Sequence, residues 1–317
     1  MLSVAWGCIV ASAQAMLPKK LLDGIRSGEC VLFLGAGVHA GPPEGSDYEY
    51  ADADRPLLVR ELVQRLAEDC DFQRAFPQAD HPDEYPLNLA RVSLFADTPK
   101  GGGRKNLVDS LRTHLQQGKR PSRALRALAQ MPFKVIVTTN FDTLVDTALA
   151  EAGKKPVRLW YDPSPNHPTE DMTDEPTEES PVLYKIHGDF DKPESIVITD
   201  EDYITFVQRM GDSDRFHPVP LTVREKMRKW PTLFVGYSLR DYNLRLLFRT
   251  LRWRIDEARF PLSFSVDRGP DPLIQQVWEN ERQYVLFVVS ELWKFVPHVQ
   301  EDVLGKKMPN PLPVAPP

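Results

Sequence analysis

The sequence predicts an α/β fold: a Rossmann-like, mostly parallel, doubly wound sheet carrying a helical insertion. Three observations predict it. Short apolar, often β-branched runs recur along the chain, long enough for buried strands and too short for helices. Stretches with apolar residues at helical spacing follow most of them. Polar or glycine-containing clusters stand at the carboxyl ends of several runs, which is the edge where open α/β sheets bind ligands.

The stretch that organises the rest is Phe133–Leu149. Phe133–Val137 reads as a strand, and Leu144, Val145, Ala148 and Leu149 recur as one helix face. Between them lie Thr138, Thr139, Asn140, Phe141 and Asp142. Taken alone, Asn140 and Asp142 read as caps of the following helix. Three further motifs at strand ends turn the reading towards a ligand site.

Composition narrows the classes. With 317 residues and 42% hydrophobic content, the chain can bury a large core. A net charge of −6 argues against a protein that coats nucleic acid, and no nucleic-acid partner is expected. Cys8, Cys30 and Cys70 have no paired spacing, so a disulfide framework is not expected and a reducing cytoplasm fits. No stretch reaches the roughly 18 apolar residues of a membrane span. Met1–Ala15 lacks the basic start of a signal peptide. Met16 is the expected true start, with residues 1–16 a dispensable extension and 17–303 the domain.

In chain order, Leu21, Leu22 and Ile25 predict a short helix ending at Gly28. The strand Cys30–Leu34 runs straight into Gly35, Ala36, Gly37, Val38 and His39. Glycine at such a turn lets backbone amides approach a pyrophosphate, though glycine-rich strand-to-helix turns are common and name no ligand alone. Gly41–Arg55 reads as a loop over that turn. Pro56–Cys70, Arg104–Leu115 and Ser122–Gln130 read as helices, so an insertion of about 56–130 separates the first strand from the second. Pro156–Trp160 is the next strand, and the acidic, proline-rich Asp162–Ser180 a surface loop.

Val182–Ile186 is a strand ending in His187, Gly188 and Asp189. A histidine there acts as a general base or simply bonds a loop backbone, and the motif alone does not separate the two. Ser195–Thr199 reads as a strand, Glu201–Met210 and Arg215–Lys229 as helices. The strand Thr232–Val235 ends in Gly236, Tyr237 and Ser238, and the helix Asp241–Leu251 follows. Leu262–Val266 ends in Asp267, placed either for a ribose hydroxyl or to cap a turn. Tyr284–Val289 is the last strand, Glu291–Val303 the last helix, and the proline-rich tail 304–317 is expected to be disordered. The histidines have no metal-ligand spacing, so no metal site is expected.

Four motifs together resemble a known family. Gly35-Ala36-Gly37-Val38, Thr138-Thr139-Asn140-Phe141-Asp142, Lys185-Ile186-His187-Gly188-Asp189 and Gly236-Tyr237-Ser238-Leu239-Arg240-Asp241 occur in the order and spacing of the sirtuin-like superfamily. The chain looks most like the bacterial, defence-associated branch, whose domain hydrolyses NAD; Ile198-Thr199-Asp200-Glu201-Asp202-Tyr203 also resembles that branch. The resemblance implies that Gly35, Ala36 and Gly37 cradle the pyrophosphate. It implies that Asn140 positions water or the nicotinamide ribose, that Asp142 holds the nicotinamide amide, and that His187 is the base. Thr139 and Gly188 fall in the binding motifs, Gly236 and Ser238 on the adenosine side, and Asp267 near its ribose.

The chain also departs from the deacylase sirtuins. Those carry a four-cysteine zinc module after the histidine motif, glutamine where Thr139 stands and a small hydroxyl residue where His39 stands. No cysteine follows Cys70 here, so no zinc is expected. The expectation is an NAD glycohydrolase that releases nicotinamide and ADP-ribose, acting as a regulated anti-phage effector. An NAD-dependent deacylase or ADP-ribosyltransferase is the alternative enzyme; a non-catalytic sensor of NAD or ADP-ribose is the alternative of another class. Because unchecked NAD loss is toxic, a homo-oligomer or a separately encoded activator is expected to switch it.

Overall fold

The structure, a computed structural model, describes residues 17–77, 87–163, 170–211, 218–237, 239, 261–279 and 285–308. Strand β1 (Val31–Leu34) pairs on one side with β2 (Val135–Thr138). Beyond β2 come β4 (Val182–Lys185) and then β3 (Val157–Trp160). On the other side of β1 lie β5 (Thr232–Val235), β6 (Ser263–Asp267) and β7 (Val285–Val289). The order is β3-β4-β2-β1-β5-β6-β7 and every pairing is parallel. The chain winds outward from β1 on one side, then returns to build the other, so the winding reverses between β1 and β5. Such a reversal opens a crevice at the carboxyl ends of the strands.

Every residue of β1, β2, β4 and β5 is buried, as expected of parallel strands covered on both faces. Alternate side chains take opposite faces. Leu32, Leu34, Ile136, Leu183 and Leu233 pack with Ile25, Leu128, Leu149 and Val296. These come from α1 (Lys19–Arg26), α6 (Arg123–Gln130), α7 (Leu144–Glu151) and α11 (Leu292–Leu304). On the other face, Phe33, Val135, Val137, Tyr184 and Phe234 pack with Phe206, Met227 and Trp278. Those belong to α8 (Asp200–Gly211), α9 (Leu221–Lys229) and α10 (Pro272–Trp278).

Between β1 and β2 the described residues form four further helices: α2 (Val59–Asp69), α3 (Phe72–Ala75), α4 (Leu89–Ala96) and α5 (Gly103–Leu115). They form a third core of Leu62, Leu66, Phe72, Val92, Leu107 and Leu111, which also takes in Phe141, Phe190, Ile196 and Ile198. Phe141 and Phe190 lie in the loops after β2 and β4. The extra helices therefore rest on the carboxyl edge of the sheet. Helix α6 belongs instead to the core beneath the sheet.

Two expectations are corrected. Ser195–Thr199 is not a strand: Pro193–Ser195 is a 3₁₀ turn, and the apolar run after it is buried without a ladder. Its backbone is satisfied locally and by side chains. Val197 donates to the His187 carbonyl at 2.8 Å, Ser93 Oγ to the Ile198 carbonyl, and Asp202 accepts from the Ile198 and Thr199 amides. Of the helix expected over Arg215–Lys229, residues 215–217 lie outside the described residues, Pro218–Pro220 is not helical, and the helix runs from Leu221 with Pro220 at its N-cap position. The helix expected over Asp241–Leu251, and residues 309–317 of the tail, lie outside the described residues.

Candidate active site at the carboxyl edge of the sheet

Strand register places the motifs. Leu34 of β1 lies opposite Thr138 of β2 and Val235 of β5, and Thr138 lies opposite Lys185 of β4. The residues that follow these four leave the sheet at one level: Gly35, Thr139, Ile186 and Gly236. Four motifs far apart in sequence thus share one edge.

The turn after β1 is a 3₁₀ turn over Ala36–His39, and it is wedged against the turn after β5. Gly37 donates its amide to the Gly236 carbonyl at 2.7 Å. Gly236 has φ +69°, and a Cβ there would lie 2.0 Å from the Val38 nitrogen. Backbone must touch backbone at this point, so glycine is required by packing before any ligand is considered.

Asn140 is buried, and its amide donates to Thr138 Oγ1 at 3.0 Å. Its side-chain Nδ2 lies 3.4 Å from the Gly35 carbonyl and 3.2 Å from His39 Nε2. Asp142 accepts the Leu144 amide through Oδ1 at 2.9 Å, an Asx turn one residue ahead of Thr143, the N-cap of α7. Its Oδ2 reaches His39 Nε2 at 3.4 Å. Burial would raise the Asp142 carboxyl, but His39 and Lys185 overcome that and hold it below its ordinary value. His39 is 2% exposed, and its Nδ1 has no hydrogen-bond partner among the described residues.

His187 is buried at the end of β4, with Gly188 at φ +98° behind it. A Cβ on Gly188 would strike the Ser195 carbonyl at 2.2 Å, so the sharp turn after His187 needs glycine. The imidazole stands edge-on to the rings of Tyr203 and Phe206 on α8, and Tyr203 Oη lies 3.4 Å from His187 Nδ1. Contact at Nδ1 and the two edge-on rings constrain the orientation of the imidazole.

Under this edge lies a fully buried ammonium. Lys185 Nζ donates to the carbonyls of Phe141 and Asp142 and sits 3.2 Å from Asp189 Oδ2. Asp146 on α7 and Arg158 on β3 complete the cluster. Burial pushes the Asp146 carboxyl up, against the pull of Lys185 and Arg158.

Of the residues singled out from sequence, Asn140 and Asp142 meet at His39, beside the Gly35–Gly37 turn and Gly236. His187 and Gly188 leave the neighbouring strand β4. Thr139 extends the ladder by donating its amide to the Leu34 carbonyl at 3.1 Å. Asp267 ends β6, one strand beyond β5, and its Oδ1 accepts the Gly269 amide at 2.9 Å, the turn-capping bond. Ser238 lies outside the described residues. Sequence reasoning assigned no role to His39, Tyr203 or Lys185. Tyr203 and Lys185 both stood in motifs already noted, but nothing marked Lys185 as buried, because a lysine at a strand end ordinarily reaches solvent. Among the described residues no group of three or more His, Cys, Asp or Glu side chains is arranged to hold a metal ion. No helix of the described residues is long and apolar enough to cross a membrane.

Comparisons with known proteins concern the chain as a whole rather than its site residues. Residues 134–286 match the family model described as SIR2-like domain. The chain is 25% identical to the NAD(+) hydrolase ThsA of Enterococcus faecium over 247 residues, 78% of this chain and 45% of that protein. It is 28% identical to defense-associated sirtuin 2 of Bacillus subtilis over 269 residues, 83% of this chain and 22% of that protein. The NAD(+) hydrolase ThsA of Acinetobacter baumannii is 26% identical over 77% of this chain and 43% of its own length. The chain therefore spans less than half the length of these curated relatives. These matches agree with the resemblance read from the sequence: residues 134–286 are similar to a SIR2-like domain, and the chain is similar to proteins named NAD(+) hydrolase and defense-associated sirtuin.

Proposed function

We propose that this chain is an NAD glycohydrolase, cleaving NAD and water to nicotinamide, ADP-ribose and a proton, and that it serves as a regulated bacterial anti-phage effector. The observation that carries the reading is the meeting of Asn140, Asp142 and His39 beside the glycine turn, with His187 on the adjacent strand. The relatives named NAD(+) hydrolase support it.

Breaking the N-glycosidic bond builds positive charge on the ribose as nicotinamide leaves. A site for this reaction needs an oriented leaving group, one placed water and little bulk solvent. Asn140 is the residue we assign to hold the water or the ribose, and Asp142 to hold the nicotinamide amide. His187 takes a proton from a ribose hydroxyl or the attacking water. No covalent nucleophile is needed. Gly35, Ala36 and Gly37 approach the pyrophosphate, with the amide of Gly37 already committed to Gly236. We assign Thr139 and Gly188 to binding, and Gly236 and Ser238 to the adenosine side, as the motifs imply. Asp267 serves the adenosine ribose only by giving up its bond to Gly269.

The working state we infer is a cytoplasmic homo-oligomer whose NAD loss is switched on by self-assembly or a separately encoded protein. Product analysis tests the reading. Equal amounts of nicotinamide and ADP-ribose, formed without any acylated peptide, are expected. Nicotinamide release that depends on an acyl-lysine peptide, or ADP-ribose found only on protein, would overturn it in favour of the deacylase or the transferase.

A further inference from the structure

Lys185 is 0% exposed. Burying an ammonium costs several kcal/mol unless its donors are met, so its surroundings say what it is held for. Two donors go to successive carbonyls, Phe141 and Asp142, of the loop that bears Asn140. The charge is balanced by Asp189, 3.2 Å away, with Asp146 at 3.7 Å.

Asp189 is itself fixed. Its amide donates to Ser195 Oγ at 2.9 Å and its Oδ1 accepts the Asp191 amide at 2.8 Å. Arg158 Nη1 lies 3.5 Å from its other oxygen. Asp189 also stands two residues after His187, across the constrained Gly188. Phe190, the next residue, donates its amide to the same Phe141 carbonyl at 3.1 Å. The loop after β2 and the turn after β4 are therefore joined through one ammonium and one amide.

We propose that Lys185 is a positioning residue: its buried ammonium, clamped by Asp189, ties the Asn140 loop to the His187 turn and sets the two groups in register for NAD cleavage. The proposal rests on the hydrolase reading for its effect on turnover, and on geometry alone for its effect on the loop. A lysine serving only stability would sit in any part of the core. Among the described residues, this one's hydrogen bonds go to the two peptide carbonyls on either side of the Asp142 Cα, one and two residues after Asn140.

The test compares the full chain with Lys185→Met, Lys185→Arg and the double variant Lys185→Met/Asp189→Asn. The double variant removes both charges, so it regains much of the stability that Lys185→Met loses. Turnover separates position from stability. In both Lys185→Met backgrounds kcat falls by about 10- to 100-fold per folded molecule, with KM for NAD within about threefold. Recovery of kcat along with stability in the double variant overturns the proposal. Amide hydrogen exchange reads the loop without any turnover: residues 139–143 exchange at least about tenfold faster in the double variant, while β5 and β6 keep their protection. Unchanged exchange at 139–143 overturns the proposal even if the parent releases no nicotinamide, an outcome that would count against the hydrolase reading alone. Should Lys185→Met fail to fold, Lys185→Arg and the double variant carry the same comparison.

Discussion

His39 Nε2 lies 3.2 Å from the Asn140 carboxamide and 3.4 Å from the Asp142 carboxylate. One ring nitrogen faces a group that donates and a group that accepts. As an unprotonated nitrogen it receives the Asn140 N–H; protonated, it donates to Asp142. Only in the first form does it hold the side chain assigned to the reacting ribose; in the second it holds Asp142.

Replacing His39 is therefore expected to disturb Asn140 without opening the core. His39→Ala lowers kcat about tenfold or more through misorientation of the carboxamide. Steady-state kinetics of nicotinamide release check this, and a variant with parental kcat removes His39 from the site.

Asp142 links the site to stability through pH. Its carboxyl is held below the ordinary value of 3.8 in the fold: burial acts to raise it, and His39 and Lys185 outweigh burial. A depressed folded value means stabilisation that is present above the unfolded value and lost as pH falls through the folded one. Asp142→Asn lowers Tm at pH 7, and its deficit relative to the parent shrinks as pH drops below about 4. Thermal melts from pH 7 to pH 3 decide the point; a constant deficit contradicts the assignment.

Tyr203 is expected to act through His187. Tyr203→Phe removes the hydroxyl 3.4 Å from Nδ1 but keeps the edge-on ring. A drop in kcat of about tenfold with little change in KM is the expected result, and the acidic limb of the pH–rate profile shifts with it. Parental kinetics and an unmoved profile rule out an orienting role.

Gly236→Ala tests the wedge between the turns after β1 and β5. The new Cβ would lie 2.0 Å from the Val38 nitrogen at a positive φ. A loss of about 2 kcal/mol or more is expected. Urea unfolding measures it, and a loss under about 0.5 kcal/mol, the size of an ordinary surface change, contradicts the close approach.

The sheet was legible because its strands are buried on both faces and read as unbroken apolar runs: Thr232–Val235 falls where the pattern puts it, and Val135–Thr138 lies within two residues of the expected Phe133–Val137. The same rule misread Ser195–Thr199, whose apolar side chains fill two cores while Asp202, Ser93 and Arg104 take its backbone groups. Periodicity records burial, and burial does not require a ladder. At the site, Asn140, Asp142 and His187 were legible through their motifs. Lys185 stood in the His187 motif, but its burial was not legible, because that depends on Asp146 and Arg158, which approach from α7 and β3. His39 was legible only as a departure from a family pattern; its contact with Asn140 required the turn after β1 to fold against the loop after β2.

The most direct measurement is nicotinamide release from NAD by the purified parent chain beside Asn140→Ala and His187→Ala, alone and with candidate activators. Release by the parent, lost by at least about a hundredfold in both variants while their Tm stays near the parental value, is the predicted result. Tight binding of NAD without turnover under every condition, or undiminished release by either variant, would contradict the account.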